Sequence, residues 1–391
     1  TSELPQVSRP KGGTLFLSRT RKSVKLADIE QFFESWAPLW TAWERDNVGL
    51  QVGRRSRRVE NVLVALDVTP GVVSEAVQKK VDLIVSHHPL LFRPSSSISD
   101  SNAIGSILLS LAESRIALYS THTNLDSAAD GVSFALASAL GIQKPSFLAP
   151  MKDSLAKLVV FVPDEHVDRV AAVMAEAGAG MIGQYERCSF RMHGKGTFRG
   201  SEHTQAFSGK PVQVEEVEEI RLEMIVPRAR VKDVVAAMKT VHPYEEIAHD
   251  LYALENLNPN FGMGAIGDLP RTVTVRGFLT KLKKAVHADS VRFYGTLTQK
   301  VRRIAVCGGG GSELLEHAIA AKADLFVTAD VRYHPFHDAA GRIVLVDAGH
   351  WETEQVVLPV IASKLRAWAA SKGETLVVSV TQHSTNPIHS Y

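Results

Sequence analysis

The chain has 391 residues, 45% of them hydrophobic, and its 44 basic residues nearly balance its 42 acidic ones. This length suits roughly two or three domains of about 100–200 residues each, and a formal charge of +2 gives no reason to expect a nucleic acid or a membrane as partner. Two cysteines, Cys188 and Cys307, are too few for a Cys-rich zinc site or a disulfide framework, which favours a reducing, cytoplasmic compartment. No apolar run reaches the ~18 residues expected of a membrane helix.

Residues 1–22 carry several basic side chains but no apolar stretch, so they lack the pattern of a secretory signal peptide. We predict a flexible basic tail here, with a transit peptide as the minor alternative. The folded part is expected to begin at residue 23.

Apolar strands and helices alternate regularly over the next 120 residues or so. The predicted elements are a helix at Leu26–Ala37, a strand at Arg58–Asp67, a helix at Pro70–Lys80, a strand from Val81 that ends at His87, a helix at Ala103–Ser114, a strand at Ile116–Thr121 and a helix at Gly131–Leu140. Strands separated by helices of this length predict a layered α/β fold with a mainly parallel sheet. Ligands in such folds bind at the carboxyl ends of the strands.

The pattern changes after Pro150 and then contains a repeat. The predicted elements are a strand at Leu155–Val162, a helix at Glu165–Ala177, one or two strands within Tyr185–Phe198, a strand at Arg221–Ile225, a helix at Val231–Val241 and a strand at Ile247–Leu254. Two segments, which begin at Leu158 and Leu222, each combine an apolar strand, a Val-Pro exit and a helix. This arrangement is typical of a ferredoxin-like split βαβ fold, and we predict such an α+β domain at residues 154–258.

Alternation of the first kind resumes after the predicted insert. The predicted elements are a helix at Val275–Val286, a strand at Arg303–Cys307, a helix at Glu313–Lys322, strands at Leu325–Thr328 and Ile343–Asp347, a helix from Trp351 to about Ser371 and a strand at Thr375–Val380. The smaller domain therefore interrupts a larger one. We predict the two halves of the larger domain at residues 23–153 and 259–391.

Two adjacent histidines, His87 and His88, stand at the end of a buried-type strand. Imidazoles are the commonest protein ligands of transition metals. Neighbouring side chains of a continuing strand would point to opposite faces, but Pro89 favours an end of the strand at this position. We therefore expect both rings to reach one crevice.

Two further strand ends carry potential metal ligands. His350 and Glu354 lie four residues apart on one face of a predicted helix, although a solvated first turn that contains an acid is the alternative. Asp126 follows a strand, where an aspartate is often only a turn or capping residue. Together with His87 and His88, these residues provide five ligands, one more than a closed tetrahedral zinc site uses. A pair of metals roughly 3.5–4 Å apart, with Glu354 as the bridge, fits that number better.

Five motifs make the chain similar to a known family. They are Val85-Ser86-His87-His88-Pro89-Leu90, Thr121-His122-Thr123-Asn124-Leu125-Asp126, Gly308-Gly309-Gly310-Gly311-Ser312, Thr328-Ala329-Asp330-Val331-Arg332-Tyr333-His334 and Gly349-His350-Trp351-Glu352-Thr353-Glu354. In combination they resemble the Nif-three-like family, whose members are commonly described as GTP cyclohydrolase 1 type 2 homologues. The resemblance extends from about Leu26 to Tyr391. The segment with Val241-His242-Pro243-Tyr244-Glu245-Glu246 looks like the PII/CutA-like insert of the longer members.

The resemblance implies a dinuclear metal site and an assembly. His88, Asp126 and Glu354 would hold one ion, and His87, His350 and the shared Glu354 would hold the other. The family also implies a toroidal homohexamer whose sites face an internal cavity. Mixed imidazole and carboxylate ligands suit zinc, iron, manganese or nickel, and the nitrogen content makes zinc our first expectation.

Two histidines are candidate catalytic residues. His122 lies four residues before Asp126 and is a candidate proton donor, with a supporting or structural role as the alternative. His334 follows the strand Leu325–Thr328 together with Asp330, so it is expected to border the same crevice and is the second candidate for a general acid.

Two other motifs have structural interpretations. The run Gly308–Gly311 resembles an anion-binding helix start, but it lacks the Gly-Lys-Ser/Thr of a phosphate-binding loop, so a close backbone turn is favoured. In the insert, His242, Glu245 and Glu246 resemble ligands, but we favour a structural turn or contacts between subunits.

These patterns lead to two functional hypotheses. The first is a metal-dependent hydrolase, in which two ions activate a water molecule for attack on a nucleotide-type substrate such as GTP, at C8 of guanine. A metal-dependent phosphoesterase is the near alternative. The second hypothesis is a non-catalytic metal-binding or adaptor protein, because folds related to the predicted insert serve as sensors and scaffolds, and fold alone does not settle function.

Overall fold

The computed structural model describes residues 23–389, so the predicted tail at residues 1–22 lies outside the described part of the chain. The helices are α1 (Leu26–Trp36), α2 (Pro70–Gln78), α3 (Ala103–Glu113), α4 (Thr123–Asp126), α5 (Val132–Ala139), α6 (Val167–Glu176), α7 (Val231–Lys239), α8 (Val275–Val286), α9 (Leu315–Ala320), α10 (Tyr333–Asp338), α11 (His350–Glu354) and α12 (Leu358–Ser371). The strands are β1 (Val24–Lys25), β2 (Gly49–Val52), β3 (Arg58–Val59), β4 (Asn61–Ala65), β5 (Leu83–Ser86), β6 (Ala117–Ser120), β7 (Gln143–Met151), β8 (Leu155–Val162), β9 (Phe190–Arg199), β10 (Val214–Pro227), β11 (His249–Ala253), β12 (Asn258–Thr274), β13 (Arg292–Tyr294), β14 (Lys300–Gly310), β15 (Leu325–Ala329), β16 (Val344–Asp347) and β17 (Val377–Val380).

The first large sheet has five strands in the order β17-β4-β5-β6-β2. Strands β17, β4, β5 and β6 are parallel, and the edge strand β2 runs antiparallel to β6. Side chains alternate along β4, so that Leu63 and Ala65 face α2 and α3, whereas Val62 and Val64 face α1 and α12. The strand is buried on both faces, as expected at the centre of a parallel sheet.

The second large sheet has six strands in the order β13-β16-β15-β14-β12-β7. Its central strands β14, β15 and β16 are parallel, and the outer strands pair antiparallel. The predicted layered α/β core is confirmed, but it consists of two sheets with parallel centres. The sequence did not predict strands β7 and β12. Strand β7 contains Pro145 and Pro150, and β12 contains several glycines and shifts of register, which are unusual in strands.

Helix α5 lies between the two sheets. Val132 and Ala135 pack in the core of the five-stranded sheet, whereas Leu136 and Leu140 pack in the core of the six-stranded sheet. Val356, just before α12, packs against both cores. This double packing fixes the two sheets relative to each other. As a result, the residues that follow the strand ends of one sheet lie close to those that follow the strand ends of the other.

The segment from β8 to β11 forms a separate four-stranded antiparallel sheet in the order β11-β8-β10-β9. Helices α6 and α7 cover one face of it around Leu158, Leu222 and Met238. The chain order β-α-β-β-α-β is the split βαβ order that the repeat predicts. The assignment to the PII/CutA class and the bounds 154–258 stay predictions. Among residues 23–389, no helix is both long and apolar enough to span a bilayer.

Candidate metal centre

The two adjacent histidines extend the pairing of strand β5 beyond Ser86. The main-chain N–H of His87 donates to the carbonyl of Ala65 at 3.1 Å, and that of His88 donates to the carbonyl of Leu66 at 2.8 Å. The Ser86 hydroxyl then donates to the carbonyl of His88 at 2.9 Å, which closes a turn before the proline. The two ring centroids are 5.0 Å apart, so both rings reach one crevice, as predicted.

The other predicted ligands lie on the short helices α4 and α11. At the start of α4, the side-chain oxygen of Asn124 accepts a hydrogen bond from the main-chain N–H of His122 at 2.9 Å. Asp126 is the last residue of this helix. In α11, the Thr353 hydroxyl donates to the carbonyl at the helix start and accepts from the N–H of Gly309 at 3.0 Å. Helix α11 is therefore attached to the end of strand β14.

Glu354 lies at the centre of the metal cluster, by which we mean His87, His88, Asp126, His350 and Glu354. Its Oε2 lies 3.0 Å from Nε2 of His88, and its Oε1 lies 3.1 Å from Nε2 of His350. Nε2 of His87 lies 3.6 Å from Oδ1 of Asp126 and 3.7 Å from Oε1 of Glu354. A carboxylate whose two oxygens face different imidazoles has the arrangement expected of a bridging ligand.

The distances pair the histidines differently from the family-based expectation. His88, His350 and Glu354 each place a ligand atom within 4.8 Å of the others, and so do His87, His88 and His122. His87 also lies beside Asp126. His350 therefore groups with His88 rather than with His87, because the fully buried ring of His87 lies against α4, whereas the ring of His88 faces α11. Which ligands share an ion stays a prediction.

Three imidazoles at the site have a carboxylate behind the ring. Nδ1 of His88 lies 2.7 Å from Asp67, and Nδ1 of His350 lies 2.6 Å from Asp330. Nδ1 of His122 lies 2.9 Å from both oxygens of one further aspartate, Asp46. Metal-bound histidines commonly donate their second nitrogen to a carboxylate, which fixes the tautomer and the ring orientation. Nε2 of each ring is thus left for the cluster.

Several buried polar atoms of the cluster lack a hydrogen-bond partner within the described residues. They are both ring nitrogens of His87, Oδ1 of Asp126 and Oε2 of Glu354, whose contact with His88 lacks hydrogen-bond geometry. Buried polar atoms in folded proteins nearly always have a partner. Divalent metal ions would provide that partner, and nitrogen and carboxylate donors are the types that such ions prefer.

The ionisable groups perturb one another strongly. Burial, together with repulsion from Glu354, raises the pKa of Asp126 to about 8. Burial lowers the pKa of His88, but its hydrogen bond with Asp67 and its close contact with the Glu354 carboxylate outweigh this effect and raise it to about 10. The Glu354 carboxylate likewise raises the pKa of His350 to about 9. The site therefore stabilises positive charge beside Glu354, and a metal ion that binds here takes the place of these protons, because imidazole binds metals in its neutral form.

The glycine run at the end of β14 makes room for Glu354. Gly309 has a positive φ of +64°, and a Cβ at this position would lie 2.2 Å from Oε1 of Glu354. A Cβ at Gly308 would lie 2.4 Å from Val132 of α5. The predicted turn is wrong: Gly308–Gly310 are the last residues of β14, where its register with β15 shifts between Val306 and Gly310, and their main chain packs directly against the central carboxylate.

Comparison with known proteins identifies the family. A sequence model of Duf34/NIF3 (NGG1p interacting factor 3) matches residues 24–387. The chain belongs to the DUF34/NIF3 family. The GTP cyclohydrolase 1 type 2 homolog of Halalkalibacterium halodurans is 41% identical to it over 359 residues, which cover 91% of this chain and 96% of that one. The protein of the same name from Bacillus subtilis is 38% identical over 368 residues, which cover 94% and 98%. The crystal structure of a Bacillus cereus protein related to NIF3 matches with a TM-score of 0.80 at 38% identity, over 95% of this chain and all of that one.

The two histidines predicted as proton donors in this DUF34/NIF3 protein have different surroundings. The ring centroid of His122 lies 5.4 Å from that of His87 and 5.5 Å from that of His88. His334 is exposed in α10 and packs against Tyr333 at 5.6 Å. Among residues 23–389, no hydrogen bond or ion pair joins His334 to the metal cluster. The catalytic roles of both stay predictions.

Sequence reasoning did not find two of the three supporting carboxylates. Asp67 follows β4 by two residues, so the rule that sites lie at the carboxyl ends of parallel strands applies to it as it does to His87. Asp330 follows β15 in the same way, and its expected place beside the crevice is confirmed. Asp46 lies in a loop before β2, where nothing in the sequence distinguishes it from a solvated acid.

The ligand-like motif of the insert forms a structural turn. His242 is buried; its Nε2 bonds the carbonyl of Phe161 at 3.0 Å, and its Nδ1 accepts from the N–H of Tyr244 at 3.2 Å. Burial lowers the pKa of His242, which favours the neutral ring that this pattern requires. A cavity of about 270 Å³ beside the turn is lined by Phe198 and Phe207, among others, and no residue of the metal cluster lines it.

Proposed function

We propose that this DUF34/NIF3 protein binds two divalent metal ions per chain, zinc in preference to iron, manganese or nickel, and hydrolyses a nucleotide-type substrate. The observation that carries the proposal is the position of Glu354, whose two oxygens face His88 and His350. The unpartnered buried atoms of His87 and Asp126 support it, because a metal ion is the partner that such donor atoms suit.

Bound divalent ions would supply Lewis acidity and lower the pKa of a water molecule toward about 7. The residues of the chain would then hold and orient the reacting groups. Asp67 and Asp330 fix the rings of His88 and His350 through Nδ1. His122 bonds Asp46 through Nδ1, so its Nε2 is the atom proposed to protonate the leaving nitrogen. His334 is the alternative donor, although its exposed position favours His122.

The substrate class comes from the relatives, which are named GTP cyclohydrolase 1 type 2 homologs. For GTP, water would add at C8 of the guanine ring, and formate would be the product that reports the reaction. A phosphoester is the near alternative, because a pair of metal ions also suits in-line attack on phosphorus.

The first experiment is elemental analysis of protein purified without added metal. We expect about two metal ions per chain. Both should be lost in Glu354→Ala, because Glu354 is shared, and in His87→Ala, because the buried ring of His87 lies beside both Asp126 and Glu354. One ion or none in the wild type would contradict the dinuclear proposal. The loaded protein is then incubated with GTP, and the absence of both formate and a pterin precursor would exclude GTP as the substrate.

A non-catalytic metal-binding or adaptor role is the second candidate. The observation in its favour is the insert, which has its own sheet, hydrophobic core and cavity. Glu354→Gln discriminates the two: a hydrolase loses turnover, whereas an adaptor has none to lose and changes only in metal content. We further propose a homohexamer, for which light scattering should give six times the 42.7 kDa chain mass.

A further inference from the structure

The chain after β17 runs from the five-stranded sheet to the metal cluster. We call residues 381–388 the C-terminal strap. At its beginning, the Thr381 hydroxyl donates to the buried carboxylate of Glu75 in α2. Near its end, the side-chain amide of Asn386 donates to Oε1 of Glu352 in α11 at 2.8 Å. The strap therefore connects the sheet that precedes His87 and His88 with the helix that carries the other histidine ligand.

Thr385, between these two anchors, contacts the neighbours of two metal ligands. Its hydroxyl donates to Oδ2 of Asp67 at 2.5 Å and accepts from the indole N–H of Trp351 at 3.1 Å. The other oxygen of Asp67 bonds the ring of His88 at 2.7 Å, and Trp351 directly follows His350. One hydroxyl group thus links the support of one ligand to the backbone of the other.

We propose that Thr385 is a positioning residue for the metal centre, which acts on His88 through Asp67 and on His350 through Trp351. The proposal rests on the proposed function only in that the cluster must bind metal; it requires no turnover. The Asp67 side chain is 34% exposed, so water competes for its oxygens, and a carboxylate held at one oxygen alone is free to rotate. With Thr385 on its second oxygen, Asp67 keeps Nε2 of His88 directed at Glu354.

The test is the Zn²⁺ affinity of the full chain, measured by competition with a chromophoric chelator after metal removal. Thr385→Val keeps the shape of the side chain and removes the hydroxyl, and Thr385→Ser keeps the hydroxyl. We expect Thr385→Val to weaken zinc binding about tenfold, at the lower end of the effect of groups that support a ligand. Thr385→Ser should restore the affinity of the wild type, which a merely steric role would not predict.

Thr381→Val is the matched control, since it removes a hydroxyl from the same strap whose partner is Glu75 rather than Asp67. It should leave zinc affinity unchanged, even where it lowers Tm. Equal zinc affinity of Thr385→Val and wild type would overturn the proposal, and so would an equal loss in Thr385→Ser or in Thr381→Val. If Thr385→Val fails to fold, Trp351→Phe, which removes the indole N–H but keeps an aromatic ring, must weaken zinc binding for the proposal to stand.

The outcomes separate this inference from the proposed function. A wild-type chain that binds two zinc ions, with unchanged affinity in Thr385→Val, refutes the role of Thr385 and leaves the metal centre intact. A wild-type chain that binds no zinc refutes the proposed function and, with it, any metal-positioning role of the strap.

Discussion

Replacement of Gly309 by alanine should disrupt the metal centre without replacing any of the proposed ligands. The main chain at Gly309 has a φ of +64°, and an added Cβ would lie 2.2 Å from Oε1 of Glu354 and 3.4 Å from the ring of His350. The first distance is far below any real contact. The neighbouring main chain cannot retreat easily, because the N–H of Gly309 is bonded to Thr353 and its carbonyl to Thr328. The carboxylate must therefore move.

Two effects combine in Gly309→Ala, and their magnitudes differ. The left-handed backbone conformation costs a residue with a Cβ about 1–2 kcal/mol. A displacement of Glu354 removes the one carboxylate that faces both His88 and His350, so both ions should be affected. We expect a loss of zinc affinity of at least about a hundredfold, the upper end for a disturbed ligand environment, which corresponds to about 2.8 kcal/mol.

Gly341→Ala isolates the backbone effect, because Gly341 has a similar φ of +72° and no atom within 4 Å of the point that a Cβ would occupy. It should lower Tm as Gly309→Ala does but leave zinc binding unchanged. The assay is chelator competition, with Tm measured in the presence and absence of Zn²⁺. If Gly309→Ala binds zinc as tightly as Gly341→Ala does, Glu354 does not hold the ions and the reasoning fails.

Two other substitutions test the surroundings of the site. Asp330→Asn removes the charge 2.6 Å behind Nδ1 of His350 and should weaken zinc binding about 10–100-fold; Asp338→Asn, at the exposed end of the adjacent helix α10, is the control, and equal affinities would exclude a supporting role. Glu75→Gln tests the anchor of the strap. Burial raises the pKa of Glu75, but bonds from Lys79, Thr381 and the main chain of Gln382 outweigh this and hold it below 4.5. The ionised Glu75 carboxylate therefore contributes its full stabilisation of the fold above pH 4.5. This contribution is lost as the pH falls through the pKa of Glu75 in the folded protein. Glu75→Gln should lower stability at pH 7 by about 1.5–3 kcal/mol, and urea unfolding should show this difference shrinking below pH 4.5; a difference independent of pH would contradict the assignment.

The clustering of the proposed ligands could be predicted because their positions in the chain obey a rule. His87, Asp126 and His350 each follow the carboxyl end of a strand in a parallel part of a sheet. Binding sites in α/β folds lie at these ends. The antiparallel strands β7 and β12 obey no comparable rule, since their prolines and glycines are read as loops. Nevertheless β12 pairs with β14, and β7 pairs with β12, which completes the sheet whose strand β14 packs against Glu354.

The contact between Thr385 and Asp67 shows why the remaining features required the structure. The two residues are 318 positions apart, and nothing in either sequence neighbourhood points to the other. They meet because β17 returns to the first sheet and pairs parallel with β4, in the register Val380 with Val64. Neighbouring parallel strands end at the same edge of a sheet. The residues that follow β17 therefore lie close to Asp67, which follows β4. Once that pairing is known, a contact between the C-terminal strap and Asp67, which bonds His88, is a geometric consequence.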